Sequence, residues 1–325
     1  MSSENILEVK DLRVSFDTRR GEVRAVNGLS FELQRGQTLG IVGESGSGKS
    51  VSMNAVMGLV RDANVRISGE VIFKGEDLLA RSDEQMRAIR GKEIAMVFQD
   101  PMTALTPVYT VGWHIVEQIR LHTTLSKSEA RERAIQILDD VGIPDPQRRV
   151  DQYPHEFSGG MRQRAIIAMA LALNPALLIA DEPTTALDVT IQAQILDLLM
   201  KLQEQHNSSI IIITHDMGVV SEIADEVLVM YAGRPVERAS KKALFANPQH
   251  PYTRGLMNSV PRLDRVRGER LEAIPGQPAS LLNLPQGCAF SDRCSLASEA
   301  CKEVPEFIID ADGHGAACVL VKAAR

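Results

Sequence analysis

The chain has 325 residues, of which 44% are hydrophobic and 24% are charged, so it is long enough for two domains or for one large domain with an appendage. The net charge of −6 gives no electrostatic reason to expect a nucleic-acid partner. No run of 18 apolar residues occurs, and the N-terminus lacks the basic and apolar regions of a signal peptide. These features predict a protein that stays in the cytoplasm, where thiols are reduced.

The N-terminal part of the chain has the pattern of short strands. Residues 6–35 alternate between apolar and polar side chains, which predicts antiparallel strands joined by a turn at 19–21. Phe16 ends the first of these strands, where its ring could stack on a purine or fill the core. The apolar run 38–42 then predicts a buried strand, and a helix is expected from Val51 onward.

A glycine-rich loop lies between that strand and that helix, and it reads G-x-x-x-x-G-K-S. Its glycines let several backbone N–H groups point at one phosphate chain, and the helix N-terminus adds its positive dipole end. In such a loop the lysine reaches the β- and γ-phosphates and the final serine binds Mg²⁺. The predicted nucleotide-binding residues of the loop are Gly43, Glu44, Ser45, Gly46, Ser47, Gly48, Lys49, Ser50 and Val51, and Phe16 stays open between base stacking and core packing.

Further along the chain, strands alternate with helices. Buried strands are predicted at 94–98, 177–180 and 210–213, while 102–157 has mostly helical patterns. Such alternation indicates an α/β domain with a largely parallel central sheet, carrying an inserted helical subdomain.

Polar side chains follow three of these apolar strands. Because ligands bind at the carboxyl ends of parallel strands, we expect these side chains to converge on one γ-phosphate. Asp181 is expected to hold Mg²⁺ and Glu182 to accept a proton from the attacking water. His215 can hydrogen-bond the γ-phosphate, and Gln99 can position the water and touch the metal. Seen alone, each residue is more often an ordinary turn former or solvated group.

A second glycine-led helix start occurs at Ser158-Gly159-Gly160-Met161, and it offers a second potential anion site. Alone it could be an ordinary capped helix. Beside a phosphate loop it suggests that each ATP is sandwiched between two subunits.

Together these motifs resemble the ATP-binding cassette (ABC) ATPases. The resemblance implies a head-to-tail dimer in which each signature sequence covers the ATP of the opposite subunit. Departures are Val51, where threonine often follows the serine, and Met161, where glutamine is common. The matching segments are Walker A (43–50), Walker B with its catalytic glutamate (177–182), the signature (Ser158 to Met161), the Q-loop Gln99, the D-loop 185–188 with Asp188, the switch His215 and the adenine-stacking Phe16.

Longer segments are similar to the ATPases of dipeptide and oligopeptide permeases, namely 98–105, 153–164, 181–190 and 250–253. This resemblance implies an importer with two transmembrane permease subunits, two ATPase subunits that are often different chains, and an extracytoplasmic peptide-binding protein. It places the chain at the cytoplasmic face of the inner (cell) membrane as a peripheral subunit, the first of the ATPase pair. Nickel, glutathione and other solutes are carried by similar assemblies and stay open as cargo. The region 102–119, with Val108, Tyr109, Val111, Trp113 and Ile115, is expected to receive the membrane subunit's coupling helix, the alternative for each residue being a place in the core of the helical subdomain.

The expected fold class is α/β: an ABC-type P-loop NTPase with an antiparallel β subdomain and an inserted helical subdomain, plus a small loop-rich C-terminal module. We expect the nucleotide-binding domain at 1–246, with the helical subdomain at about 102–165, and the C-terminal extension at 247–325. A DNA-repair or chromosome-organising ATPase would insert a long coiled coil before the signature, and no heptad run intervenes here. A translation-type factor would carry two cassettes in one chain, whereas this sequence contains one. Exporter cassettes are often fused to membrane spans, and this sequence contains none.

The C-terminal extension is rich in proline and contains all four cysteines of the chain, Cys288, Cys294, Cys301 and Cys318. Disulfides are not expected in the cytoplasm, and the gaps of five, six and sixteen residues fit neither paired zinc ligands nor the bacterial ferredoxin run. The spacing alone leaves metal binding and free thiols open. The permease resemblance implies a [4Fe–4S] cluster on these cysteines, with zinc as the alternative. Because the segment has little apolar pattern, we expect something other than a hydrophobic core to hold it together.

Overall fold

The computed structural model describes residues 4–99, 104–185, 187–259 and 274–321. Part of the permease-like segment 98–105 and residue 186 of the D-loop therefore lie outside the described residues. The chain divides into two compact units. The first comprises Met1–Gln34, Thr38–Ala80 and Ile213–Arg325, and the second comprises Arg35–Gln37 and Arg81–Ile212.

The first 80 residues form strands around one short helix. In chain order they are β1 (Asn5–Thr18), β2 (Gly21–Gln34), β3 (Thr38–Val42), α1 (Lys49–Val56), β4 (Val65–Phe73) and β5 (Glu76–Asp77).

The middle of the chain is mainly helical. Its elements are α2 (Asp83–Ile89), β6 (Ile94–Val97), α3 (Val111–His122), α4 (Lys127–Asp140), α5 (Pro146–Arg149), α6 (Gly159–Leu171), β7 (Leu177–Asp181), α7 (Val189–His206) and β8 (Ser209–Thr214).

The remainder returns to the first unit. It contains α8 (Met217–Ile223), β9 (Glu226–Tyr231), β10 (Arg234–Ser240), α9 (Lys241–Ala246), α10 (Pro251–Asn258), β11 (Ile308–Ile309) and β12 (Gly315–Ala316).

An antiparallel sheet in the first unit runs in the order β2-β1-β4-β5. The alternating pattern explains it, because one face of β1 and β2 is apolar and buried, with Leu7 opposite Leu33 and Val9 opposite Phe31. The predicted antiparallel subdomain is therefore confirmed. A second sheet of the same unit pairs β3 with β9 in parallel, and in the second unit β6 pairs with β7 in parallel. Their strands are buried along their length, as expected of parallel strands covered on both faces.

The helices of the second unit begin at the capping residues that the sequence offers. Ser126 and Glu129 form a reciprocal capping box at the start of α4, and Ser158 caps α6 through a hydrogen bond from the backbone N–H of Met161. In the described residues, no helix combines the length and the apolar character needed to cross a bilayer.

The C-terminal segment, which we define as the described residues 247–259 and 274–321, packs into the core of the first unit. Tyr252, Leu256 and Phe290 are buried in one cluster with Val229 and Tyr231 of β9. The rings of Tyr231 and Tyr252 lie 4.7 Å apart between centroids. The expectation that something other than a hydrophobic core holds this segment is therefore wrong. Sparse apolar residues were sufficient because each one joins an existing core instead of building its own.

The C-terminal segment also extends the second sheet of the first unit. Strand β12 pairs antiparallel with β10, where Glu237 lies opposite Ala316, and β11 pairs with β12. Gly315 is required here, because a Cβ at this position would lie 2.3 Å from the ring of Phe307. The outer edge of β10 is therefore covered by residues more than 70 positions later in the chain.

A buried polar group joins this segment to β10. The carboxylate of Glu237 is fully buried and accepts hydrogen bonds from the backbone N–H groups of Gln249 and His250, at 2.6 and 2.9 Å. Its Oε1 also lies 2.7 Å from Nε2 of His314. Burial lowers the pKa of His250 to about 4, so its neutral Nδ1 accepts the N–H of Tyr252 and caps α10.

We expect Glu237→Ala to destabilise the first unit by about 3 kcal/mol or more, because it leaves several buried donors without an acceptor. Hydrogen exchange in urea, read over 234–258, measures this loss. Glu303→Ala, which removes an exposed carboxylate from the same segment, serves as the control and should change protection by less than about 0.5 kcal/mol. Equal protection in the two variants would contradict the assignment of Glu237 as a structural anchor.

Candidate nucleotide-binding site

The phosphate loop, residues 43–50, connects β3 to α1 in the first unit. Its glycines occupy conformations that other residues rarely adopt, with φ values of 155° at Gly43, 79° at Gly46 and 98° at Gly48. A Cβ on Gly43 would lie 2.2 Å from the carbonyl oxygen of Met230, and a Cβ on Gly48 would lie 2.2 Å from that of Ala25. A Cβ on Gly46 would meet nothing within 4 Å. The loop therefore packs tightly against neighbouring backbone at Gly43 and Gly48, and it has open space beside Gly46.

This difference predicts unequal effects of one substitution at two glycines. Gly46→Ala and Gly48→Ala both place a Cβ in the left-handed region, which costs about 1–2 kcal/mol. Only Gly48→Ala also forces backbone apart, so its melting temperature in the absence of nucleotide should fall several degrees further. Thermal unfolding of the two variants makes the comparison, and equal shifts would show that the loop relaxes around the clash.

Three features of the loop fit a triphosphate. Lys49 is buried, and its Nζ donates to the carbonyl oxygens of Gly43 and Glu44 at 2.7 and 3.0 Å, which holds the cation against the loop. The N-cap residue of α1 is Gly48, which has no side chain to cap the helix, and this is the arrangement of an anion-binding helix start. Among the residues that the structure describes, the buried hydroxyl of Ser47 has no hydrogen-bond partner, a need that a phosphate oxygen would meet.

Phe16 is half-buried on β1 of the same unit, where it pairs with Val23 of β2. It is therefore not a core residue, and its ring keeps the exposure that stacking on a base requires. A cavity of about 350 Å³ extends beside the phosphate loop, lined by Val23, by loop residues 44–47 and by residues 278–282 of the C-terminal segment.

The second unit contains a connected group around Glu182. Gln99 Nε2 donates to Glu182 Oε2 at 3.0 Å, and Thr185 Oγ1 donates to the same oxygen at 2.8 Å. Glu182 adopts a φ of 46°, an uncommon conformation for a residue with a side chain. Strain of this kind concentrates at functional sites, where the surroundings impose it. The preceding carboxylate, Asp181, is buried at the end of β7, and its oxygen chemistry suits Mg²⁺, as does the Ser50 hydroxyl.

The other predicted residues lie at helix starts and strand ends. Gly159 leaves the start of α6 open, since a Cβ there would meet nothing within 4 Å, whereas a Cβ on Gly160 would lie 2.9 Å from Ile191. Asp188 caps α7 by accepting the N–H of Ile191 at 3.0 Å. His215 is exposed directly after β8, in the first unit, which also contains the phosphate loop.

Sequence reasoning missed two residues that contact the phosphate loop. Arg293 forms a two-pronged ion pair with the carboxylate of Glu44, at 2.6 and 2.9 Å, and the Tyr252 hydroxyl accepts the backbone N–H of Glu44 at 2.8 Å. Both come from the C-terminal segment, more than 200 residues later in the chain. No local pattern signals contacts at that separation.

Comparison with known proteins places this geometry in a family. Residues 26–185 match the family described as ABC transporter, and residues 236–301 match the one described as oligopeptide/dipeptide transporter, C-terminal region. The dipeptide transport ATP-binding protein DppD of Bacillus subtilis is 51% identical over 98% of this chain and 95% of its own length. The oligopeptide transport ATP-binding protein OppD of Escherichia coli is 52% identical over 97% of this chain and 93% of its own length.

The chain belongs to the ABC transporter family. Its fold agrees with solved ABC cassettes. The dimeric cassette MJ0796, in a post-hydrolysis state bound to ADP and Pi, superposes with a TM-score of 0.65 at 27% identity, covering 72% of this chain and 98% of that one. The predicted P-loop NTPase fold and the predicted family resemblance are both confirmed.

The four cysteines of this ABC chain are free thiols that line one cavity together with His250 and Phe290. Burial raises the pKa of the Cys288 and Cys318 thiols above their usual range. In the described part of the chain, however, no three His, Cys, Asp or Glu side chains stand at separations that would hold a metal ion. The predicted iron–sulfur and zinc alternatives are therefore not confirmed, although thiolate sulfur is the donor that either one would use.

Proposed function

We propose that this chain is the ATP-hydrolysing subunit of an importer for dipeptides or oligopeptides. The observation that carries the proposal is the identity of about half the residues, over nearly the whole chain, to relatives named for dipeptide and oligopeptide transport. The C-terminal match to the oligopeptide/dipeptide transporter region supports the same cargo class.

The residues of the candidate site have separate roles in ATP binding and hydrolysis. The phosphate loop and Lys49 bind the β- and γ-phosphates, Phe16 stacks on the adenine, and Ser50, Gln99 and Asp181 are the residues that would hold Mg²⁺. When bound, Mg²⁺ neutralises charge on the phosphates. Glu182 accepts a proton from the water whose oxygen forms a bond to the γ-phosphorus, while the bond to the ADP oxygen breaks.

Glu182 is suited to this role by its immediate partners. The donors on Gln99 and Thr185 both point at Oε2, which fixes the orientation of the carboxylate. His215 donates to the γ-phosphate and stabilises its charge.

We further propose that two ATPase subunits close head to tail on ATP, the partner being a different, homologous chain. Ser158, Gly159, Gly160 and Met161 cover the nucleotide of the opposite subunit, and the exposed Asp188 faces the partner. The assembly includes two transmembrane permease subunits and, indirectly, an extracytoplasmic peptide-binding protein. This subunit is then peripheral at the cytoplasmic face of the cell membrane.

Reconstitution tests the cargo assignment. The complex of this chain with its partner ATPase, permeases and binding protein should hydrolyse ATP faster when a dipeptide or a short oligopeptide is supplied. Stimulation by nickel or glutathione and not by peptides would replace the peptide importer with a related one, and no stimulation by any of them would contradict import.

The structure rules out two of the residues that the sequence suggested as contacts for the permease coupling helix. Val111 and Ile115 are fully buried on α3, so they belong to the helical core. Val108, Tyr109 and Trp113 are exposed, and the rings of the two aromatic residues stack with centroids 3.9 Å apart. We propose this exposed aromatic pair as the contact to the permease, since exposed aromatics are typical anchors of protein interfaces.

Tyr109→Asp should uncouple ATP hydrolysis from peptide uptake and leave ATP binding intact, because it places a charge in the aromatic pair that we propose as the permease contact. Uptake into proteoliposomes should fall at least tenfold. Leu121→Asp, at another exposed apolar position of the same unit, is the matched control and should transport normally. Normal uptake by Tyr109→Asp would remove the aromatic pair from the interface.

We also propose that Cys288, Cys294, Cys301 and Cys318 hold a [4Fe–4S] cluster, with zinc as the alternative. Four thiols around one cavity support this, and binding would release their protons. Iron, sulfide and zinc analysis of protein purified without oxygen decides between them. A metal-free preparation that folds and binds ATP would leave the cysteines as free thiols.

A further inference from the structure

The carboxylate of Glu44 presents an electrostatic problem. It is part of a loop that must bind a triphosphate, so its negative charge has the same sign as the ligand. Charges within a protein interact more strongly than charges in water, and only about a quarter of the Glu44 side chain is exposed. An unpaired carboxylate at this position would therefore oppose nucleotide binding.

Arg293 pairs with this carboxylate and compensates its charge. Its guanidinium is buried, with 5% of the side chain exposed, and it binds both carboxylate oxygens of Glu44 in the fork geometry that makes such pairs strong. The pair holds the carboxylate toward the C-terminal segment and neutralises its charge.

The position of Arg293 is itself fixed. Its Nε donates to the carbonyl oxygen of Pro275 at 2.8 Å, and Nη1 lies 3.4 Å from the Tyr231 hydroxyl. The guanidinium also lies over the rings of Tyr231 and Phe290, 5.8 and 5.9 Å from their centroids. Because the guanidinium of Arg293 is fixed by these contacts, it can fix the position of the Glu44 carboxylate.

Tyr252 restrains the backbone of the same loop residue. Its buried hydroxyl accepts the N–H of Glu44, while Lys49 donates to the Glu44 carbonyl oxygen. The backbone N–H, the carbonyl and the side chain of Glu44 therefore each have a fixed partner, and two of these three partners come from the C-terminal segment.

We propose that Arg293 is a positioning residue for the phosphate loop, and that through the Arg293–Glu44 pair the C-terminal segment sets the affinity of this chain for nucleoside triphosphate. The inference rests on the proposed nucleotide binding. It assigns to the C-terminal segment a part in the ATP site that its place in the sequence does not indicate.

A double-mutant experiment tests this pair. ATP affinity is measured by titration of the full-length protein in its complex with the partner ATPase and permeases, and thermal unfolding is recorded for each variant. Arg293→Met should weaken ATP binding about tenfold, the scale for loss of a charged hydrogen bond. Adding Glu44→Gln to Arg293→Met should restore most of the affinity, because the uncompensated charge is gone.

The restoration separates an electrostatic role from a purely structural one. If Arg293 serves only to pack the segment, the second substitution removes one more contact and affinity stays low or falls further. Lys302→Met, which removes an exposed cation from the same segment, should bind ATP like the unchanged protein. If Arg293→Met melts below the assay temperature, Arg293→Lys replaces it, since lysine keeps the charge without the fork and should give a smaller loss.

Two results would overturn the inference: ATP affinity unaffected in Arg293→Met, or no recovery in the double variant. Failure of the proposed function looks different, because the unchanged protein would then not bind ATP at all.

Discussion

Replacement of Glu182 by glutamine should stop ATP hydrolysis while ATP still binds. Glutamine has the same size and keeps an oxygen that can accept from Thr185, so the local structure should survive. It cannot accept a proton from water, and loss of a general base costs about 10²–10⁴ in rate. We therefore expect turnover to fall to about one thousandth, within that range.

The measurement is phosphate release by the assembled complex, alongside ATP titration. Glu204→Gln makes the same chemical change at an exposed position of α7 and should leave turnover unchanged. Near-normal hydrolysis by Glu182→Gln would exclude Glu182 as the base.

Lys49→Met should weaken ATP binding itself, in contrast to Glu182→Gln, which should bind ATP without hydrolysing it. The ammonium group supplies the positive charge of the phosphate loop, and methionine preserves much of the length and apolar volume of the buried side chain. Two charged hydrogen bonds to the phosphates would be lost, and even at the low end of about 3 kcal/mol for the two together the affinity would fall more than about 100-fold.

Titration with ATP measures the loss, and Lys242→Met, at an exposed position of α9, is the control. Because Lys49 also donates to Gly43 and Glu44, thermal unfolding without nucleotide must accompany the titration. Unaltered ATP affinity in a folded Lys49→Met protein would contradict the assignment of the phosphate loop.

The fold and family could be predicted from the sequence because their signals are local. The strand that ends at Val42, the loop glycines and the helix after them are adjacent in the chain, and each obeys simple periodicity or turn rules. The match of Gln99 and Glu182 to family motifs could likewise be recognised in the sequence. In the structure, Gln99 Nε2 lies 3.0 Å from Glu182 Oε2.

The rest depended on contacts between distant residues. Nothing near Arg293 in the sequence indicates a partner at Glu44, and the burial of Val111 is decided by the packing of α3 and not by its own neighbourhood in the chain. The hydrophobic anchoring of the C-terminal segment was missed for the same reason. A few apolar residues spread over many positions show no periodicity, yet they are enough when a core already exists to receive them.

The pairing of β12 with β10 has a consequence for shortened versions of this chain. A premature stop codon near residue 310 would remove β12 and leave without partners those backbone groups of 236–238 that now bond to 315–317. Such a bare strand is a template for another chain. Truncated translation products would therefore be expected to aggregate into inclusion bodies or to be degraded, and not to accumulate as a folded, active ATPase.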